Sequence, residues 1–344
     1  MSDTAATGST VTGRLAVHGR PGATLSGVTW HSPDTRRALQ LCLAAVWLLD
    51  AVLQYQTFMF TKAFGQMLAG TAAGNPGVIS RPITWSATII EHHPVPTNTA
   101  FATIQLLLAI GIALRPTVKI ALGASVVWSL AVWWLGEGLG EVLNSAASPV
   151  NGAPGAVIIY ALLAVLLWPA GSGRTTAPFE AARVVGTRIA QALWVVLWAS
   201  LAYFSLTAAN RAPQALHDMI SGMASGNPGW LASIINGAAR LVSHQGLAAS
   251  IVLAVLLAFI AVSVLMPVRL ARTGVVVAIV LAAVIWVVGE ALGGIFSGGG
   301  TDPNSGPLLA LVALAYWPKR AARVAAATPA TTEIPGPQAQ PEGL

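Results

Sequence analysis

The stretch 246–266, GLAASIVLAVLLAFIAVSVLM, carries no charged residue. A bilayer core about 30 Å thick is crossed by about 20 apolar helical residues, so a run of this kind leaves little choice but a membrane-spanning helix. Seven further stretches read the same way: 37–56, 97–114, 118–140, 154–169, 187–207, 272–294 and 305–318. The fourth and eighth in chain order, 154–169 and 305–318, are short. Each closes on Trp-Pro, at Trp168-Pro169 and Trp317-Pro318, an interfacial anchor followed by a helix stop. Only 9% of residues are charged, against about 25% in a soluble domain.

Eight spans put both termini on one side. That side receives Arg14, Arg20, Arg36, Arg37, Arg115, Lys119, Arg174, Arg183, Arg188, Arg269, Arg272, Lys319, Arg320 and Arg323. The other receives Lys62, Arg81, Arg211 and Arg240. Basic residues accumulate on the cytoplasmic side of membrane proteins, so both termini are expected in the cytoplasm and the chain in the cell (inner) membrane. The net charge of +6 is spread over short loops, which argues against a nucleic-acid partner. The first 35 residues are polar and lack the apolar stretch of a signal peptide, so the first span is expected to act as its own insertion signal. The lone Cys42 rules out a disulfide within the chain and reads as a small core residue.

Self-comparison exposes an internal duplication. AAGNPG at 72–77 returns as ASGNPG at 224–229, and His92 then falls on His244. Further along, Lys119 meets Arg272, Trp133 meets Trp286, and Gly136-Glu137 meets Gly289-Glu290. Arg37 meets Arg188, and Trp47 meets Trp198. Four spans per copy is an even number, so both copies enter from the same side as a parallel repeat. The expected organisation is an all-α integral membrane protein. It has a disordered cytoplasmic N-terminus (1–35), repeat one (36–170), a cytoplasmic linker (171–186), repeat two (187–318) and a disordered tail (319–344). The long outer segments 57–96 and 208–245 carry helical spacing and are expected to form short amphipathic helices, lying along the membrane or packed on the bundle.

A carboxylate at mid-membrane costs about 2.5–3.5 kcal/mol and marks a functional candidate. Eighteen residues separate Lys119 from Glu137, about 27 Å of helix, which places Glu137, and likewise Glu290, at the outer boundary. Glu141 lies one turn on. His92 and His244 share that side, so acid and imidazole are expected to meet at the bundle mouth. Three readings compete. The glutamates accept hydrogen bonds from loop amides or the histidines; or they hold a ligand such as a quinone carbonyl or an amine; or they bind a metal, the weakest reading because no HxxxH or HExxH spacing is present. Gly136 with Gly140, and Gly289 with Gly293, sit four apart and are expected to give small-residue helix faces for close packing. Asp50 lies inside the first span and meets Leu201 in the second copy, so it is an unmatched candidate, with Gln54 and Gln56 near enough to satisfy it. Trp133, Trp134 and Trp286 read as an outer aromatic belt, and Trp168 and Trp317 as an inner one. No nucleophile elbow, nucleotide loop, dinucleotide fingerprint or haem motif is present, so the leaning is away from an enzyme.

The stretch QLLLAIGIALRPTVKIALGASVVW (105–128) resembles the second and third spans of DoxX-like membrane proteins, where an apolar span ends in a short basic turn and reverses into another. The four-span unit with a long outer segment after its first span resembles that family too, here as a tandem duplication. The resemblance implies a possible link to quinone-dependent redox systems or a role as a membrane accessory subunit. The functional expectation is an accessory or ligand-binding subunit with an outer-face site and a membrane or extracytoplasmic protein partner. A quinone-linked oxidoreductase subunit comes second and a small-molecule transporter third.

Overall fold

A computed structural model describes residues 34–169 and 177–319. The expected disordered N-terminus and tail, and most of the first half of the linker, lie outside the described residues. Within them every regular element is helical. The first half contains α1 (Thr35–Leu53), a short 3-10 turn (Thr57–Phe60), α2 (Lys62–Gly70), α3 (Gly77–His92), α4 (Pro94–Ala113), α5 (Val118–Leu135) and α6 (Ala156–Leu166). A linker turn, α7 (Ala182–Val185), leads to α8 (Thr187–Ser205), α9 (Ala208–Arg211), α10 (Ala215–Gly222), α11 (Gly229–Val242) and α12 (Gly246–Ser263). The last described elements are α13 (Val268–Val284), which runs on through a π-turn (Ile285–Gly289), and α14 (Ser305–Ala315).

Among the described residues five helices are long and apolar enough to cross a membrane: α4, α5, α8, α12, and α13 with its π-turn. Their outward faces leave Leu107, Ile120, Val127, Val255 and Val280 exposed, apolar side chains suited to lipid rather than water. The protein is therefore an all-helical, multi-pass membrane protein. The other three expected stretches differ in kind. α1 is nineteen residues long but carries Arg36, Arg37 and Asp50. α6 and α14 have eleven residues each, about 16 Å of helix, because the chain before each is spent on a loop.

Helix pairings recur along the chain. α1 packs on α4 as α8 packs on α12, α5 on α6 as α13 on α14, and α2 on α3 as α10 on α11. The two sets meet chiefly through α14, which packs on α6 and α1. Aromatic rings pack between helices in both: Trp47 lies 4.3 Å from Tyr160, and Trp194 lies 4.7 Å from Tyr316 between ring centroids. Such pairs add about 0.5–1.5 kcal/mol beyond area burial. The segments 57–96 and 208–245 do form short helices, packed on one another and on the ends of the longer helices.

A buried acid cluster at one end of the bundle

The third and seventh expected spans end earlier than their apolar runs suggest, and this decides where the glutamates go. After Leu135 the amides of Gly136 and Glu137 both donate to the Val132 carbonyl, at 2.8 and 3.0 Å. The next four residues, Gly138, Leu139, Gly140 and Glu141, all have positive φ. The second half repeats this at Ala291, Leu292, Gly293 and Gly294. A left-handed turn costs about 1–2 kcal/mol per non-glycine residue, so tight surroundings must hold it. A Cβ on Gly140 would strike the Pro154 carbonyl, and one on Gly293 would strike Pro303. Trp133 donates from Nε1 to the Pro154 carbonyl at 2.7 Å, and Trp286 to Pro303 at 2.8 Å. Those two tryptophans pin a loop beyond any role as interfacial anchors. The expectation of a helical small-residue face is corrected: Gly140 and Gly293 are past the helix end, and close approach there is to a loop rather than to a helix.

The turn swings each acid under the short helix that follows. Glu137 Oε1 accepts from the Val157 amide at 3.3 Å. Glu290 is 1% exposed. It accepts from the Ser305 amide at 3.2 Å, the Gly306 amide at 3.0 Å and the Ser305 hydroxyl. A carboxylate at a helix N-terminus satisfies orphan amides and meets the positive end of the helix dipole. The histidines do not join them. His92 ends α3 on the surface with Nδ1 2.8 Å from the Thr88 carbonyl. His244 is exposed, with a ring nitrogen 2.9 Å from Gln214 Nε2. The expected imidazole–carboxylate meeting fails because the acids turn inward while the histidines stay on the outer helices. Glu141 takes the last left-handed position, half-buried, with no side-chain hydrogen bond among the described residues.

Asp50 is 1% exposed, and its Oδ2 accepts from the Tyr160 hydroxyl at 2.6 Å. Gln54 and Gln56, expected to satisfy it, make no hydrogen bond to it among the described residues. The main-chain carbonyl of Gln54 accepts from Asn98 Nδ2 at 2.7 Å, and Gln56 Nε2 donates to the Gly300 carbonyl at 3.0 Å. Asp302, in the loop before α14, is a residue that sequence reasoning missed. It accepts from the Thr301 hydroxyl at 2.8 Å and the Asn304 amide at 2.7 Å. Burial pushes its carboxyl above the ordinary range despite those two donors. Asp302 aligns with Ala153, and Tyr160 with Leu309, so neither shows as a repeated polar residue.

A polar seam continues from this cluster into the first half only. Asn98, Gln105, Ser125 and Ser129 are buried on α4 and α5, and Ser125 accepts from Trp47 Nε1 at 3.1 Å. Their counterparts at the repeat offset are Ser250, Leu257, Ala278 and Ala282. Five oxygens of the seam, Asp50 Oδ1, Gln54 Oε1, Asn98 Oδ1, Gln105 Oε1 and Ser129 Oγ, are buried without a hydrogen-bond partner among the described residues. Each such orphan costs about 1–3 kcal/mol, and native proteins keep few of them. Among the described residues no group of three His, Cys, Asp or Glu is arranged to hold a metal.

Fold and cluster together define a multi-pass helical membrane protein with an acid-rich polar end. Compared with known protein families, curated proteins and solved structures, the chain matches none.

Proposed function

We propose that this is an eight-span inner-membrane protein of two parallel four-helix repeats, with both termini cytoplasmic, that binds a small protonated amine at its extracytoplasmic end. The repeat reading is supported by the matched residues, the recurring helix pairings and the two left-handed turns. The orientation is supported by fourteen basic residues on the terminal side against four on the other. Repeat one supplies the ligand site and repeat two acts as its scaffold.

The observation that carries the ligand class is the set of orphaned oxygens. Four of the five are carbonyl or carboxyl acceptors, and the fifth, the Ser129 hydroxyl, accepts as well as donates. A primary ammonium offers three N–H donors and a compensating charge, which matches acceptors that the protein leaves unpaired. The runner-up, a quinone-linked subunit suggested by the DoxX-like resemblance, fits less well. A quinone carbonyl needs donors, and two of the seam's donors are spent, the Tyr160 hydroxyl on Asp50 and an Asn98 amide N–H on the Gln54 main-chain carbonyl, which leaves the Ser129 hydroxyl. The role is that of a ligand-binding or accessory subunit working with a membrane or extracytoplasmic partner.

Titration calorimetry on the full chain in lipid nanodiscs, with methylammonium as ligand, tests this. Saturable binding is expected. Asp50→Asn should weaken it at least about tenfold, equivalent to about 1.4 kcal/mol, and tetramethylammonium, which has no N–H, should not compete. Methylammonium that never saturates into the millimolar range, or a quinone recovered from the purified protein by solvent extraction and mass spectrometry, refutes the reading.

A further inference from the structure

The far end of the second half holds a cavity of about 980 Å³ between the ends of α8, α12, α13 and α14. Trp194, Phe179 and Tyr316 form its apolar walls, and Arg269, Arg272 and Lys319 line it without any acidic residue. The polar atoms of the walls are already used: Trp194 Nε1 donates to the Ile260 carbonyl at 2.8 Å, and the Tyr316 hydroxyl to Ala190 at 2.6 Å. Lys319 is ion-paired with Glu180. The two arginines are not so committed. Arg269 is exposed on α13, and Arg272 has its Nε buried with no hydrogen-bond partner among the described residues.

The matching place in the first half is filled. There Arg36, which aligns with Thr187, reaches in and donates to the carbonyls of Leu166 at 3.2 Å, Trp168 at 2.5 Å and Glu180 at 2.6 Å. Thr187 is too short to do so, and the second half keeps open space where the first has a guanidinium. That space lies at the ends of apolar helices, mostly apolar with three cationic side chains on its lining. Basic pockets between membrane helices suit anionic lipid headgroups, and this volume falls within the range of ligand sites.

We infer that this cavity binds an anionic phospholipid of the phosphatidylglycerol type, its phosphate held between Arg269 and Arg272 and its first methylenes against Trp194 and Tyr316. The test uses the full chain in nanodiscs of phosphatidylcholine with and without phosphatidylglycerol, read by thermal unfolding and by native mass spectrometry of retained lipid. Phosphatidylglycerol should raise the melting temperature and remain bound, where phosphatidylcholine does neither. Arg272→Gln should weaken retention about fivefold, the loss of one basic contact. Arg269→Gln, on an exposed side chain that cannot disturb folding, should do the same. Lys119→Gln, the residue matching Arg272 in the half without the cavity, should leave retention unchanged. Equal retention of the two lipids, or unaltered retention in both arginine variants, overturns the site. Equal stabilisation by inorganic phosphate in phosphatidylcholine nanodiscs would assign it to a free anion and overturn the lipid.

Discussion

Replacing Tyr160 by Phe removes one hydroxyl and nothing else, yet it leaves the Asp50 carboxyl, 1% exposed, with no donor on either oxygen. A buried group stripped of its partner costs about 1–3 kcal/mol. Asp50→Leu is the reciprocal change and strands the Tyr160 hydroxyl for a similar cost. The double variant, Asp50→Leu with Tyr160→Phe, removes both ends of the bond, and exchanging a buried polar pair for apolar groups is often neutral or stabilising. Positions 201 and 309 of the second half already hold Leu at the matching places, both 1% exposed, so the fold tolerates an apolar version. Phe keeps the ring against Trp47, and any crowding by Leu is common to single and double variants and cancels in the cycle. The expected coupling is therefore about 1–3 kcal/mol, with the double variant more stable than either single. At about 2–4 °C per kcal/mol, thermal unfolding in detergent resolves it, and methylammonium binding on the same samples separates ligand loss from instability. Additive costs, with the double variant the least stable of the three, would refute the reasoning.

Glu180→Gln removes a carboxylate paired with Arg36 at 3.5 Å, with Arg183 at 3.3 Å and with Lys319. The expected loss is about 3 kcal/mol, the low end for a broken buried pair, because Arg36 keeps its carbonyl acceptors. Burial alone would raise the Glu180 carboxyl, but Lys319, Arg183 and Arg36 outweigh it and hold the group below its ordinary value. Its stabilisation is thus present above the unfolded pKa of about 4.3 and lost as pH falls through the lower folded value; the Gln variant should show a flatter acid limb in a pH series of melting temperatures. Asp302 has the opposite sign. Its folded pKa is raised by burial, so its contribution declines as pH rises from about 3.9, and Asp302→Asn should gain stability relative to the parent at neutral pH. Gly140→Ala and Gly293→Ala should each cost about 1–3 kcal/mol through strain at positive φ and collision with a proline residue. Gly70→Ala and Gly222→Ala, where a Cβ meets nothing within 4 Å, should stay within about 0.5 kcal/mol.

Membrane class and the starts of the long helices were legible because both follow from local patterns. Val118 and Thr187 begin their helices where the apolar runs begin, and Gly246 does so directly after a polar loop. The recurrence of Glu137 and Glu290 was legible too, as was the possibility that they accept amide hydrogen bonds. Their partners were not. An apolar run does not reveal that its helix breaks at Gly136, since Leu139 and Leu292 look helical and only long-range contacts with Pro154 and Pro303 make left-handed backbone tolerable there. Asp302 stands in a Gly-rich loop and reads as a turn residue, and Tyr160 in an apolar helix reads as core. Both gain meaning only when α1, α6 and the loop before α14 converge. The histidines misled for the same reason: a shared end of the bundle is one-dimensional information, and it cannot separate the centre of that end from its rim.

Glu180 belongs to the tether between the halves, yet it gathers cations from the start of α1, from α7 and from just beyond α14. The join is consequently a keystone rather than a leash. A flexible spacer of equal length would keep the halves covalently together while removing the carboxylate on which the three cations converge. The two halves are thus joined by charge as well as by chain.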